Sequence, residues 1–417
     1  MTTDFLPKSR RLICASACPR ELGDFAQWLS TEGYTAAPSH IHFIYLARAL
    51  ARLARPDDPG PRQLSDVERA FDPRGGPPAR KIHFEATRRA YVRFLRAHKR
   101  LIEPTARDRF ASLRRDYEHY LVEMRGLSPS SRSHHAHSVA DFLVRAAASR
   151  SLGTLTQRDV EAFVVLRSRE ISRHSMQHVV AHLRAFLRFC YDRGELNVRL
   201  DQTIDTPRVY RGELPPRAAP WRSVQALLAS IDRASKSGWR DYCILHLIAH
   251  YGLRPSEVVS LRLDSIDWER GTLRVTQYKT RSALTLPLAA ATIRVLRQYL
   301  ALERDRQGWT CPELFLRARC PNGPLLRTGV GDIFEKRVRQ AKLSFTRHDV
   351  YSLRHAFAMR LLARGVGIKF IGDLLGHRNL DTTRTYLRLD TRALRAVALE
   401  VPRNNVSRSG GAHHAHS

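Results

Sequence analysis

The sequence predicts a mainly α protein with a small β-sheet: two all-helical N-terminal parts followed by a mixed α/β domain. Three observations predict it. Apolar residues recur at helical spacing through most of the first 198 residues. A stretch without periodicity and with four prolines, residues 199–220, then interrupts the pattern. Beyond it, two short β-type runs, Gly271–Gln277 and Ala283–Leu288, flank Tyr278-Lys279-Thr280-Arg281-Ser282 as the arms of a hairpin, with helical patterns on either side.

Composition narrows the function. The chain has 417 residues, 70 Lys+Arg against 40 Asp+Glu, and a net charge of +30. Only 8 of the basic residues are Lys. An Arg-rich genome explains Arg replacing Lys, but not so large a net charge, which points to a polyanionic partner. No run of 18 or more apolar residues appears, so no spanning helix is expected. The N-terminus lacks a clean apolar core before a small-residue cleavage site, so secretion is not expected either. Six Cys in a long chain do not make a disulfide framework, and Cys14 and Cys18 have no second pair at zinc spacing. Reduced thiols and no metal are expected.

Residues 1–105 read as a small helical accessory region. Helices are expected at Leu22–Leu29, Ile41–Leu53 and Phe84–Ile102, with Pro/Gly-rich breaks at 56–61 and 72–78. Residues 106–198 read as all helix. Phe110–Met124 has the apolar period, Gly126-Leu127-Ser128-Pro129-Ser130 is a break and N-cap signal, and Val139–Ala148, Asp159–Leu166 and Met176–Arg193 follow, with Thr156 as an N-cap. Arg and His interleave along these segments. Arg132, Arg173, His174 and Arg184 are candidates for DNA backbone contact, against the plainer reading of a solvated basic face.

Residues 221–400 form the mixed domain, with helices expected at Ser223–Ile231, Trp239–Tyr251, Pro255–Leu261, Ala290–Leu302, Gly329–Lys342, Val350–Arg364 and Ile368–Leu374. Shorter ones are expected around Asp381–Leu387 and Thr391–Ala398. Residues 401–417 read as a polar, disordered tail.

Four segments of this domain carry candidate chemistry. In Tyr251-Gly252-Leu253-Arg254-Pro255-Ser256-Glu257, Pro255 and Glu257 suit a helix start, but a capped helix does not need Arg254, whose planar fork suits a phosphate. Lys279 stands at the hairpin tip. Tyr351 and Arg354 are three residues apart and share a helical face. Gly376 ends a helix, His377 follows it, and Tyr386 comes nine residues later.

Two Arg, a Lys, a His and a Tyr in this order resemble the tyrosine recombinase (phage integrase) family. The strings that carry the resemblance are GLRPSEV, YSLRHAFAMRLL and LLGHRNLDTTRTY, with the hairpin Lys279. It spans about residues 106–400. It implies that 106–198 is a helical, SAM-like core-binding domain, that 199–220 is a linker and that 221–400 is a tyrosine-recombinase catalytic domain. The implied function is a site-specific recombinase or integrase that cuts and rejoins DNA through a 3′-phosphotyrosyl intermediate, without metal, cofactor or ATP, in mobile-element integration or transposition. Arg254 and Arg354 would hold the non-bridging phosphate oxygens, Tyr386 would be the nucleophile, Lys279 the general acid and His377 a hydrogen-bond donor. Glu257 would orient the Arg or His. One position departs: the family most often has His where Tyr351 stands, and a phenol donates a hydrogen bond but accepts a proton poorly at neutral pH. The implied partners are double-stranded DNA and further recombinase subunits, as a homotetramer or a mixed assembly, in the bacterial cytoplasm at the nucleoid, with no membrane. Two alternatives stand beside this reading. One is a DNA-binding protein on a recombinase fold with reduced or lost catalysis, favoured by Tyr351. The other is a type IB topoisomerase-like relaxing enzyme with the same chemistry.

Overall fold

The computed structural model describes residues 7–16, 18–53, 60–73, 77–102, 109–147, 150–209, 218–277, 282–305, 311–318, 323–345, 349–376 and 383. Two compact units emerge. One takes Lys8–Phe25 and Ile41–Glu213; the other takes Met1–Pro7, Ala26–His40 and Leu214–Ser417. Among the described residues, no helix is long and apolar enough to cross a membrane.

The N-terminal region contains α1 (Pro7–Cys14), α2 (Pro19–Thr31), α3 (Ala36–Leu50), α4 (Leu64–Ala70) and α5 (Pro78–Ala97). Phe25, Phe84, Tyr91 and Phe94 are fully buried, and Phe25 meets Tyr91 and Phe94 edge-on. The reading of one helix over Phe84–Ile102 is corrected at both ends. Pro78 supplies a preset first turn, so α5 starts six residues earlier. It stops at Ala97 because Lys99 turns to φ +55°, after which Leu101–Ile102 (β2) pairs in parallel with Arg62–Gln63 (β1). The expectation of an all-helical region therefore missed one small strand pair. Arg100, inside the span expected to be helical, pairs at 2.5 Å with the buried Glu21, which also accepts from Tyr91 Oη at 2.6 Å.

Helices α6 (Ala111–Glu123), α7 (Pro129–Ala146), α8 (Gln157–Ser168) and α9 (Arg173–Asp192) enclose a second core. Phe142, Phe186, Leu187 and Val180 are at its centre. The polar entry signals are used as read. Ser128 accepts from the Ser131 amide, and Thr156 shares a capping box with Asp159. The start of the expected linker behaves differently: a 3₁₀ turn at Leu200–Gln202 buries Leu200, and Ile204 joins the same core.

The C-terminal unit is built around α11 (Gly238–Tyr251), which is buried over most of its length: Cys243, Ile244, Leu245, Leu247, Ile248 and Ala249 are all inaccessible. It packs against α10 (Trp221–Ala229), α13 (Ala290–Tyr299), α14 (Arg327–Gln340) and α15 (Tyr351–Ala363). A short α12 (Pro255–Val259) follows α11, and α16 (Ile368–Leu375) follows α15. The sheet is antiparallel, with order β3 (Ile266–Asp267), β4 (Thr272–Gln277), β5 (Ser282–Pro287); β3 was not read from the sequence. Leu273 faces Leu286 and Val275 faces Leu284, so Leu273, Val275 and Gln277 share the buried face of β4. Helix α13 continues as a π turn, Leu300–Arg304, which delivers the Glu303 carboxylate to the amides of Trp239 and Arg240 at the start of α11. Inside, Asp241 is fully buried between Arg240 (2.6 Å) and Arg337 (2.7 Å), so its charge is paired rather than stranded.

Candidate active site

Two left-handed glycines form the frame of the site. Gly252 ends α11 at φ +65°, and its amide donates to the Ile248 carbonyl. A Cβ at Gly252 would lie 2.6 Å from Phe357 and 2.8 Å from Leu375, so the turn requires glycine for space as well as for φ. The chain then turns extended at Arg254 and enters α12 through Pro255. Gly376 ends α16 in the same way, at φ +61°.

Arg254 sits at the N-cap of α12. Glu257, at the third helical position, accepts the Arg254 amide at 2.8 Å and its Nη1 at 2.5 Å. The acidic residue thus caps the helix and fixes the guanidinium together. Arg254 Nη2 donates to the Gly376 carbonyl at 2.9 Å. Arg354, on α15, is only 4% exposed. Its Nη1 donates to the Gly252 carbonyl and its Nη2 to that of Leu375 at 2.5 Å. The second Glu257 oxygen lies 3.8 Å from Arg354 Nη1. Each Arg is therefore held by the carboxylate of Glu257 and by carbonyls at helix C-termini, the negative ends of the helix dipoles. Glu257 is 2% exposed, and two guanidinium groups converge on this one buried carboxylate, a net positive cluster among the described residues. That arrangement can hold a phosphate in a fixed orientation.

Tyr351 is the first residue of α15 and is half-buried against the core; its amide donates to Asp349 Oδ1 at 3.0 Å. Lys279, His377 and Tyr386 lie outside the described residues. In sequence, Lys279 follows the last residue of β4 by two places, and His377 follows Gly376 directly. Among the described residues, no group of three or more His, Cys, Asp or Glu is arranged to hold a metal ion.

One residue escaped sequence reasoning. Gln277 ends β4, is 5% exposed, and places its amide against Gly376: a Cβ there would come under 3.0 Å from three of its side-chain atoms. The alternation Leu273, Val275, Gln277 was the available signal, since it puts a polar residue on the core face.

The four candidate DNA contacts separate. Arg173 and His174 are exposed in the first turn of α9, which Ser172 caps, and the His174 ring meets that of His178 edge-on at 5.3 Å. Arg132 instead pairs with Glu118 at 2.9 Å, and Arg184 donates to the Ile204 carbonyl, tying the 3₁₀ turn to α9. These two are engaged within the protein. The histidine run along the same helices is partly structural too. His182 is hydrogen-bonded to Ser138 Oγ at 3.0 Å, and its ring is 4.1 Å from that of His135. Burial, with neighbouring His135 and His178, lowers the His182 pKa to about 4.

The model of the phage integrase family matches residues 221–392, and that of the phage integrase N-terminal SAM-like domain matches residues 115–194. A Sinorhizobium fredii protein carrying the name integrase/recombinase y4rA is 30% identical over 390 residues, covering 91% of this chain and 93% of its own. The structure of XerH site-specific recombinase bound to palindromic difH substrate, a post-cleavage complex, superposes with a TM-score of 0.53 at 15% identity, over 94% of this chain and 97% of that one. A lambda integrase tetramer bound to a Holliday junction gives a TM-score of 0.53 at 16% identity, over 66% and 76%.

Proposed function

This chain belongs to the phage integrase family of tyrosine recombinases and is a DNA strand-breaking and rejoining enzyme, and we propose that Arg254, Lys279, Tyr351, Arg354, His377 and Tyr386 carry its chemistry. The observation that supports this most is the convergence of Arg254 and Arg354 on Glu257. A DNA phosphodiester repels nucleophiles, and charge builds on its non-bridging oxygens as a fifth bond forms to phosphorus. Two guanidinium groups already aimed by backbone carbonyls stabilise that charge without reorganising. The Tyr386 phenolic oxygen attacks phosphorus as its proton passes to water, the bond from phosphorus to the 5′ oxygen breaks, and Lys279 protonates that oxygen. His377 and Tyr351 donate hydrogen bonds to the phosphate. The phosphotyrosyl link conserves the bond, so attack by a 5′-hydroxyl reverses the step without ATP or metal.

The unit containing α6–α9 is the DNA-gripping domain in this reading, with Arg173 and His174 on backbone phosphates. Residues 1–105 are an accessory region, 199–220 the linker, 221–400 the catalytic domain and 401–417 a tail. Four subunits, identical or mixed with related recombinases, assemble on two duplexes at the bacterial nucleoid, and the biological role is integration or transposition of a mobile element.

The test is covalent capture on nicked suicide DNA taken from the flanks of the encoding gene, with Tyr386→Phe beside the native chain. The expected result is a protein–DNA adduct from the native chain and none from Tyr386→Phe, with DNA affinity retained. Tyr351 favours a second reading, a binder with lost catalysis. Native protein that binds this DNA but is never captured, even as Tyr351→His, would establish that reading instead.

A further inference from the structure

We propose that Gln277 is a positioning residue for strand cleavage: its buried amide shores the Gly376 turn and, through it, the guanidinium of Arg254. The inference rests on the recombinase reading. Its basis is a chain of contacts. Gln277 closes β4 with its side chain on the core face, beside Leu273 and Val275. Its Oε1, Nε2 and Cδ are the three atoms nearest to where a Cβ of residue 376 would stand. The Gly376 carbonyl in turn takes Arg254 Nη2.

A buried primary amide is costly to desolvate, and a Leu or Val would continue the strand's apolar alternation more favourably. A polar group at this position is explained by what it touches. The amide fills the space under a left-handed turn, so the turn cannot sink toward the sheet. The carbonyl that takes Arg254 is thereby held in one place. The same contact ties the strand that leads into Lys279 to the turn that leads into His377. Three segments carrying proposed catalytic groups are registered against each other by one side chain. A guanidinium misplaced by an ångström loses much of its transition-state contact while the DNA grip elsewhere is untouched.

The test uses the full chain on the suicide substrate that captures the native protein, with the first-order rate of adduct formation read at saturating DNA. Gln277→Ala should slow that rate by about tenfold or more, with DNA affinity and melting temperature close to native. Gly376→Ala, whose methyl group meets the amide, should be slower still. Adding Gln277→Ala to Gly376→Ala should then speed the reaction relative to Gly376→Ala alone, because the space is returned; a residue that merely supports folding gives no such reversal. Gln277→Asn keeps the amide but draws it back by one methylene, and should also cleave slowly if Gln277→Ala does not fold. Native rates in Gln277→Ala or Gln277→Asn, or a double variant no faster than Gly376→Ala, would overturn the assignment. Failure of the native chain to be captured at all is a different result: it removes the strand-cleavage reading, and this inference with it.

Discussion

The guanidinium of Arg354 donates to the carbonyl of Gly252, which lies 102 residues earlier in the chain. A helix end therefore serves as the seat for a side chain that we propose binds phosphate. Gly252→Ala should be costly, because φ +65° disfavours a side chain and the new methyl group would press on Phe357 and Leu375. Overpacking at such a site costs on the order of 1–3 kcal/mol, with backbone strain added. Denaturant unfolding should show the loss, and residual folded protein should form adducts slowly because Arg354 loses its seat.

Glu257 is the more severe position. It is the sole carboxylate in contact with both Arg254 and Arg354 among the described residues. Removing it takes away the carboxylate that both buried cations share, and breaking a buried pair this way costs about 3–5 kcal/mol. Glu257→Gln should be milder than Glu257→Ala, since the amide oxygen still accepts the Arg254 amide and caps α12. Thermal melts of the two variants should fall in that order, and equal melting of both would contradict the shared capping and pairing role.

Lysine should not replace either arginine. Arg254 spends Nη1 on Glu257 and Nη2 on Gly376, a division that needs a planar fork. Arg254→Lys and Arg354→Lys should retain DNA binding, yet adduct formation should drop by about 10²-fold or more, the loss typical of one oxyanion-stabilising donor. Arg→Ala should be lower again by suicide-substrate capture. Native-like capture in either Ala variant would remove that residue from the phosphate site.

The contrast between what was read and what was missed follows from the range of each signal. The start of α12 was legible because Pro255 and Glu257 act within one turn of Arg254. The end of α16 was legible because Gly376 marks a local φ, and the apolar run of the expected helix Trp239–Tyr251 stops where α11 does. Glu257 was expected to orient an Arg or His, but its contact with Arg354 depends on tertiary packing. So do the carbonyl seats and the Gln277 contact, for which only an alternation gave a hint. The same limit produced the overlong helix at Phe84–Ile102: the apolar period runs on, while a single residue, Lys99, turns left-handed and releases Leu101 and Ile102 into a strand pair. Arg184 and Arg132 read as candidates for DNA contact because composition does not show that the Ile204 carbonyl and Glu118 face them.

DNA binding should be strongly salt-dependent. A chain with a net charge of +30 displaces condensed counterions when it settles on a duplex. Each phosphate neutralised contributes a slope of about −0.9 to log K against log salt. Neutralising Arg173 as Arg173→Gln should reduce the slope by about one contact, whereas Arg184→Gln should leave it unchanged and lower stability instead, since that guanidinium is spent on Ile204. Fluorescence anisotropy on a short duplex from about 0.05 to 0.2 M salt measures both, and a flat response would contradict phosphate clamping.

Acid should destabilise the folded chain through two buried histidines. His42 is hydrogen-bonded to Thr87 Oγ1 and His246 to Thr292 Oγ1, each at 2.9 Å. Burial holds both pKa values at about 4, with Arg93 and His83 opposing protonation of His42 and His250 opposing that of His246. The unfolded chain binds these protons near pH 6.5, so between pH 6.5 and 4 it holds more protons than the folded one. The stability these sites contribute is therefore present above pH 6.5 and lost as pH falls toward 4. At pH 5 the loss is about 2 kcal/mol for each site. Melting temperature should drop between pH 7 and 5, and less steeply in His42→Gln or His246→Gln, where the amide keeps a hydrogen bond to the threonine and has no proton to gain. Melting curves in which these variants follow the native slope would show that other groups carry the acid response.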